Sequence, residues 1–384
     1  MSRFDFENLH ECGIINHLDL KCVNCGKSGM SIFYEASGIP VQSAYLMPTR
    51  EKALKSALGK IALGICRSCG LIYNTEYNHS ANPHFQKKEK TDAFSFAYNS
   101  FIQELAEIFI TKYSLFNKKI SALGAKSDDF LSALCEMGGN TGQIVEQLDL
   151  KEFNKDTDCV VSAMTLGNIY NGADLLSTLR SCLSERTNTI LFYIVRDVER
   201  ILTELAYWEI SHEDCTYFSL GSLARLFRKS GFDIIEIKKY KGQFITLAAK
   251  PSMTKTASNT NDDMGDLLGK VKYFAENHLQ KLLIWKQRIA DFRRSGYRVV
   301  LWKAGAKSAA FLNLLDMEDG IKYVVDINTH LHGAYIPGTG HKIISPAHLR
   351  EYRPDAIIAL NPLFNTEVSN EIKRLGLTAE LLTF

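Results

Sequence analysis

Short apolar runs and amphipathic stretches follow one another along most of this chain. A continuous apolar run between polar residues predicts a buried strand, and apolar residues spaced by three and four predict a helix. We therefore predict buried strands at 158–163, 189–195, 298–302, 323–326 and 355–360, helices at 96–113, 172–183, 219–230 and 264–294, and a hairpin at 232–239 and 244–249. Strands that alternate with helices form parallel sheets covered by helices, so we expect an α/β protein.

The alternation is interrupted at 251–263, where Ser, Thr, Asn and Asp predominate. Such a composition predicts a linker and not part of a packed core. We therefore expect four parts in the chain. They are a small N-terminal module at 1–80, an α/β domain at 81–250, the linker with a long helix at 251–295, and a second α/β domain at 296–384.

Composition narrows the kind of protein further. The chain has 384 residues and a net charge of only +2, so charge gives no reason to expect nucleic acid or an anionic membrane as a partner. The first residues contain no apolar run behind basic residues, and no apolar stretch is long enough to span a bilayer. We therefore expect a cytoplasmic protein. In that reducing compartment its nine cysteines serve metal binding or packing and not disulfides.

Four of the cysteines form two copies of one local pattern. Cys22 and Cys25 are followed by a glycine, as are Cys66 and Cys69. Two residues between cysteines let both thiolates face one ion from a tight turn, and the glycine permits the left-handed backbone that such a turn needs. Zinc takes four such ligands tetrahedrally. The sequence therefore predicts one structural zinc ion in the N-terminal module.

A glycine-rich segment of the second part has the composition of a ligand-binding turn. We predict a short strand at 133–135, a turn at 136–142 and a helix at 143–148. Glycines between a strand and a helix let the backbone approach a ligand, and the N–H groups at a helix N-terminus suit an anionic group. A similar turn at 305–307 opens a helix in the last part of the chain, where a phosphate could bind.

The order of these features resembles the S-adenosylmethionine-dependent sugar C-methyltransferases, which act on nucleotide-linked deoxysugars that carry a keto group. The matching stretches extend over nearly the whole chain and are 21–26, 66–71, 136–142, 212–219, 305–307, 323–326, 335–338 and 353–361. The resemblance implies a zinc-binding module, a methyltransferase domain and a second Rossmann-like domain. It also implies S-adenosylmethionine as the cofactor and a small molecule, such as a nucleotide-linked sugar, as the substrate.

The resemblance assigns residues to roles as well. In such enzymes a base removes the proton next to the ketone, and the enolate then attacks the methyl group of the cofactor. The resemblance implies that the cofactor is held by Glu136, Gly138, Asn140, Gly142 and Asn168. It implies that the proton is removed at the segment that contains His212, Glu213, Asp214 and Tyr217.

This chain departs from the family pattern where that chemistry takes place. Only 15 residues separate Gly142 from Asp158, which is too short for a full cofactor domain, and no acidic residue is visible that would bind the ribose hydroxyls. Asp214 stands where the family has its histidine base, and an aspartate with its ordinary pKa of about 4 is a weak base. Ser211 and Asn168 replace a tyrosine and a second histidine.

Three hypotheses remain open on the sequence. The first is a methyltransferase that acts on a nucleotide-linked sugar or a related small molecule. The second is an enzyme of the same scaffold with different chemistry. The third is a non-catalytic protein that binds a sugar nucleotide or a partner protein.

Overall fold

Three β-sheets organise the chain. The computed structural model describes residues 15–77, 95–146, 150–151, 153–253, 263–317 and 319–384, and it is within these residues that the three sheets occur. Two of the sheets contain parallel strands connected by helices, which confirms the predicted α/β fold. Most of the predicted linker, 254–262, lies outside the described residues.

The first sheet is antiparallel and belongs mainly to the N-terminal part of the chain. Its elements are β1 (Ile15–Lys21), β2 (Ser28–Pro40), α1 (Arg50–Leu54), β3 (Leu58–Cys66), β4 (Ile72–Asn74) and β9 (Thr216–Tyr217). The five strands follow the order β1-β2-β3-β4-β9. The last of them comes from far along the chain and pairs Tyr217 with Ile72. A strand from the middle of the chain therefore completes the N-terminal sheet.

The second sheet has six strands. They are β5 (Lys119–Leu123), β6 (Thr141–Val145), β7 (Cys159–Ala163), β8 (Ile190–Arg196), β10 (Phe232–Tyr240) and β11 (Phe244–Pro251), in the order β10-β11-β8-β7-β5-β6. The helices are α2 (Phe96–Tyr113), α3 (Asp128–Gly138), α4 (Gly172–Leu183), α5 (Val198–Thr203) and α6 (Leu220–Lys229). Strands β5 to β8 are parallel, and β10 and β11 form the predicted hairpin.

The glycine-rich segment folds in the opposite order to the prediction. The predicted strand at 133–135 belongs to helix α3, and the predicted helix at 143–148 begins inside strand β6; residues 147 and 148 lie outside the described residues. A short apolar run fits a buried strand and the buried face of a helix equally well. The acidic residues Asp128 and Asp129 in the first turn of α3 are the sequence signal that marks its beginning.

The third sheet is parallel throughout. The long helix α7 (Met264–Arg294) leads into β12 (Val299–Trp302), α8 (Ala306–Leu315), β13 (Ile321–Val325), β14 (Lys342–Ile344), α9 (Leu349–Tyr352), β15 (Ala356–Ala359), α10 (Asn365–Arg374) and β16 (Glu380–Thr383). The strands follow the order β14-β13-β12-β15-β16. The predicted long helix and the predicted strands of this region are confirmed.

Helix α7 connects the sheets through aromatic contacts. Phe274 packs edge-on against Tyr34 of β2 with ring centroids 5.6 Å apart. One turn further on, His278 stacks on Phe274 at 5.0 Å. Near the other end of the helix, Trp285 lies 6.1 Å from Phe311 of α8. A single apolar core therefore extends from the N-terminal sheet through α7 to the third sheet.

Candidate functional site

The four predicted zinc ligands lie together. The sulfur atoms of Cys22 and Cys69 are 3.6 Å apart, as are those of Cys25 and Cys66, and all four lie within 4.8 Å of one another. A tetrahedral zinc ion with Zn–S bonds of about 2.3 Å requires sulfur atoms separated by about 3.8 Å. The donor set and its spacing therefore fit one zinc ion with no open coordination position.

Two tight turns and one helix hold this cluster. Gly26 and Gly70 have φ angles of 75° and 72°, and their N–H groups donate to the carbonyls of Cys22 and Cys66 at 2.8 Å. From helix α6, Arg225 donates to the carbonyl of Cys69 at 3.0 Å. The cysteine cluster is thus attached to the six-stranded sheet as well as to its own strands.

The residues predicted to hold the cofactor through the glycine turn lie at the other edge of the six-stranded sheet. Thr141 pairs with Lys119 at the amino ends of β6 and β5, so Glu136, Gly138 and Asn140 precede those ends. Ligands of open parallel sheets bind at the carboxyl ends. This predicted turn therefore contributes nothing to the binding edge.

Each of these residues has a packing role instead. Asn140 is buried; it donates to the carbonyls of Leu115 and Leu134 at 3.0 and 2.7 Å and accepts from the N–H of Lys118 at 2.8 Å. A Cβ at Gly142 would lie 2.5 Å from Leu131, and a Cβ at Gly138 would lie 2.6 Å from the Leu115 carbonyl. Glu136 is exposed on α3. The glycines are explained by close approach between α3 and its neighbours.

The turn that does lie at the binding edge follows β5. Gly124 has a φ of 77°, and a Cβ there would lie 2.5 Å from Thr165. Its N–H donates to the carbonyl of Val145, the last residue of β6, at 3.0 Å, and the exposed Glu146 follows directly after that strand. An acidic residue after the second strand is the group that sequence analysis did not find, because β6 was predicted to be a helix. A glycine turn beside such a carboxylate fits the ribose of a nucleoside cofactor.

Asn168 and Asp214 meet near the same edge. The Asn168 side-chain amide donates to the Asp214 carboxylate at 2.8 Å and also to the Glu213 carbonyl. Arg196, the last residue of β8, forms a close ion pair with Asp214, and Lys126 lies 3.7 Å from it. The Asp214 carboxylate is therefore paired with two cations and with Asn168, so both of its oxygens already have partners and it is poorly placed to take a proton from a substrate.

The other predicted catalytic residues bind the N-terminal sheet. Glu213 accepts from the Ser43 hydroxyl at 2.6 Å and from the Ala44 N–H at 2.8 Å. His212 packs on Gly59, where a Cβ would lie 2.5 Å from its ring, and burial lowers its pKa. The Tyr217 hydroxyl is buried against the backbone of Ser211, whose N–H donates to it at 3.3 Å. Glu213 therefore holds the loop that carries Ala44 next to the site, whereas His212 and Tyr217 make packing and backbone contacts.

A cleft of about 210 Å³ opens between the carboxyl edges of the six-stranded sheet and the third sheet. Its wall on the first side includes Lys126, Met164 and Arg196, which follow or end β5, β7 and β8. On the other side the wall comes from the ends of β12 and β15 and the first turn of α8. The basic residues that line the cleft are Lys126, Arg196, Arg200, Lys303 and Lys307, and the acidic ones are Asp128, Asp129 and Glu209.

A buried carboxylate joins the two walls. Glu209 accepts from Lys307 at 2.6 Å and from Arg200 at 2.5 Å, both through Oε1. Burial alone would raise the pKa of Glu209, but the charges of Lys307 and Arg200 outweigh it and lower the pKa to about 2. Burial lowers the pKa of Lys307 to about 8, and the charge of Glu209 limits that fall. Sequence analysis missed Glu209 because it lies in an apolar run and has no motif around it.

Two family models match the chain. Residues 269–378 match the C-methyltransferase C-terminal domain, and residues 138–237 match a methyltransferase domain. Comparison with curated protein sequences gives no significant match. No helix among the described residues has both the length and the apolar character needed to cross a bilayer.

Several solved structures are similar to part of the chain. One is an N,N-8-amino-8-demethyl-D-riboflavin dimethyltransferase from Streptomyces davawensis, with 13% identity, a TM-score of 0.33 and coverage of 40% of this chain and 55% of that one. A second is an S-adenosylmethionine-dependent methyltransferase from Clostridium acetobutylicum, with 10% identity, a TM-score of 0.32 and coverage of 40% and 92%. The chain spans about half the length of the first, and these likenesses carry no information about its reaction.

The fold and the two family matches define the class of the protein. It is an α/β protein with a Rossmann-like sheet and a cleft at the carboxyl ends of its parallel strands, and residues 138–237 are similar to a methyltransferase domain. Within that class, the match at 269–378 relates its third sheet to the C-terminal domain of C-methyltransferases.

Proposed function

We propose that the protein is an S-adenosylmethionine-dependent methyltransferase that acts on a small molecule bound in the cleft, and that this substrate is a nucleotide-linked sugar. The observation that carries the proposal is the cleft between the carboxyl ends of the parallel strands of two sheets, because three of the parallel strands on one side, β6, β7 and β8, lie within the methyltransferase match. When bound, the cofactor would supply the methyl group. Gly124 would let its backbone approach, and Glu146 would accept from its ribose hydroxyls.

The charge of the cleft supports an anionic substrate. Five basic and three acidic residues line it, and the first turn of α8 presents its N–H groups on the same wall. A diphosphate is stabilised by such an excess of cations and by a helix N-terminus. The expected site therefore takes the substrate against the third sheet and the cofactor against the six-stranded sheet.

The matched pair Glu146→Ala and Glu136→Ala tests the cofactor site by calorimetry with S-adenosylmethionine. We expect Glu146→Ala to weaken binding by about 10-fold to 100-fold, because one charge-assisted hydrogen-bond acceptor is lost. Glu136 lies at the opposite edge of the sheet, so its variant should bind like the unaltered protein. Equal binding by all three proteins would contradict the proposed cofactor site.

A second candidate function is supported by Lys126. This lysine occupies the turn after β5 and lies 3.7 Å from Asp214, where a cationic sulfonium would be repelled. A protein of the same scaffold that binds a sugar nucleotide without the methyl donor is therefore the alternative. Heat on titration with thymidine diphosphate but none with millimolar S-adenosylmethionine would favour it.

We also propose that the cysteine cluster binds structural zinc. Two observations support this proposal. Four thiols lie close together, and each of two sulfur pairs that join one Cys-x-x-Cys turn to the other is separated by 3.6 Å. Elemental analysis of the purified protein should give about one zinc ion per chain.

A further inference from the structure

Lys307 is a basic residue of the cleft wall whose ammonium donates to the buried carboxylate of Glu209. Its side chain is 24% exposed, whereas that of Glu209 is 0% exposed and that of Arg200 only 9% exposed. Glu209 fixes the ammonium at 2.6 Å through one hydrogen bond. An ammonium has three donors, and no other partner of Lys307 is found among the described residues. Lys307 is therefore an oriented cation with donors available to a ligand in the cleft.

We propose that Lys307 donates a hydrogen bond to the carbonyl oxygen of the bound substrate and stabilises the enolate formed there, with Glu209 as its positioning residue. This inference rests on the proposed function and assigns a catalytic residue to the same cleft. In this step the C–H bond next to the carbonyl breaks. Its electron pair forms the C=C bond of the enolate, and the carbonyl oxygen takes the negative charge beside Lys307. The proton leaves to a carboxylate of the cleft wall, where Asp128 and Asp129 lie. Because an aspartate is a weak base, the step depends on the stabilisation of the enolate by Lys307.

The arrangement around Lys307 favours a carbonyl over a phosphate. Glu209, which is shared with Arg200, partly offsets the charge of the ammonium, so a fully ionised phosphate gains less there than beside a cation without such a partner. A neutral carbonyl can be bound by the ion pair, and the charge appears only as the enolate forms. A preorganised donor at the point where charge develops stabilises the transition state more than the bound substrate.

Three charged groups act on Lys307 from the elements packed against it. Glu209, which lies between α5 and β9, favours the charged form of Lys307. Arg196 of β8 and Arg200 of α5 disfavour that charged form. The activity that depends on the ammonium should fall as the pH rises through about 8. Without the charge of Glu209, burial and the two arginines still lower the pKa of Lys307. The fall in activity should therefore move to lower pH.

Deuterium exchange tests the assignment without the methyl donor. The probe is a thymidine-diphosphate-linked 4-keto-6-deoxysugar in D₂O, and mass spectrometry follows incorporation next to the ketone. We expect the full-length protein to exchange the probe and Lys307→Met to lower the exchange rate at saturating probe by about 100-fold, with Lys307→Arg retaining part of the activity. If Lys307→Met instead weakens probe binding and leaves the saturated exchange rate unchanged, Lys307 contacts the phosphate and the assignment is wrong.

The pH profile of the same exchange tests the positioning role. Glu209→Gln should move the falling limb to lower pH by about one unit or more. Glu204→Gln is the matched control, because Glu204 pairs with Arg200 at 2.7 Å, is exposed, and does not contact Lys307. If the falling limb of the Glu209→Gln pH profile does not move, the positioning role of Glu209 is wrong. If Glu209→Gln does not fold, the Lys307→Met result still tests the role of Lys307. If the probe binds but is not exchanged, the role of Lys307 in enolate formation is wrong and the proposed substrate class is unaffected. If the probe does not bind, both the role of Lys307 and the proposed substrate class are wrong.

Discussion

At the scale of single residues, Asn140 shows how one side chain organises a turn. Its amide and carbonyl satisfy three backbone groups from the α2–β5 connection and from α3. Buried backbone groups without partners are costly, so the side chain stabilises the turn far more than its size suggests. A role in cofactor binding was the sequence-based expectation for this residue, but its position at the amino ends of β5 and β6 favours a structural one.

We predict that Asn140→Ala lowers the free energy of unfolding by about 2–4 kcal/mol, since three buried hydrogen bonds are lost. Urea unfolding followed by circular dichroism measures the change. Glu136→Ala, on the exposed face of the neighbouring helix α3, should alter stability by less than about 0.5 kcal/mol. Asn140→Ala protein of unchanged stability would contradict this account of the turn.

The comparison between sequence and structure is also clearest at particular residues. The cysteine ligands were predictable because their chemistry depends on local spacing alone. Glu146 was missed because a wrong assignment of β6 removed the strand end that gives the carboxylate its meaning. Glu209 was missed because its partners, Lys307 and Arg200, come together only in the tertiary structure.

At the scale of elements, the pairing of β4 with β9 links the cysteine cluster to the cleft. Strand β4 begins three residues after Cys69, and Ile72 pairs with Tyr217 of β9. The segment just before β9 holds Glu213, which binds the loop that brings Ala44 to the cleft wall. The sequence could not predict this pairing, because a strand of two residues has no periodicity and the partners are far apart.

Removal of the proposed zinc ion should therefore loosen the segment around β9. We predict that a chelator strong enough to remove the proposed metal raises amide hydrogen exchange at 72–74 and 215–217, because a structural zinc site loses its folded arrangement without its ion. The parallel strands β12 and β15 serve as the internal control and should keep their protection. Equal protection of β4 with and without metal would contradict the proposed link.

At the scale of the whole molecule, buried histidines make the fold sensitive to acid. Burial lowers the pKa values of His212 and His278, and it lowers that of His341 to about 4. In the unfolded chain a histidine has a pKa of about 6.5, so the unfolded state binds protons first as the pH falls. The stability that the neutral rings contribute is complete above about 6.5 and declines towards the folded-state pKa.

We predict that the urea midpoint falls between pH 7.5 and pH 5.0, and that His341→Gln removes part of the fall. The linkage for His341 alone amounts to as much as about 3 kcal/mol once the pH reaches its folded-state pKa. A midpoint independent of pH over this range would contradict the assignment of neutral buried rings.

The strand order of the first sheet has a consequence for synthesis on the ribosome. Strand β4 emerges about 140 residues before β9, which is its neighbour in the finished sheet. At translation rates of about 5–20 residues per second, the hydrogen-bonding edge of β4 stays open for about 7–30 s. An unpaired strand edge is a template for association with other chains. A chaperone that covers Ile72 and Tyr73 during this interval should therefore raise the yield of soluble protein, and so should slower initiation of translation, because fewer open edges are then present at one time. Both should raise the yield more than stabilisation of the complete fold.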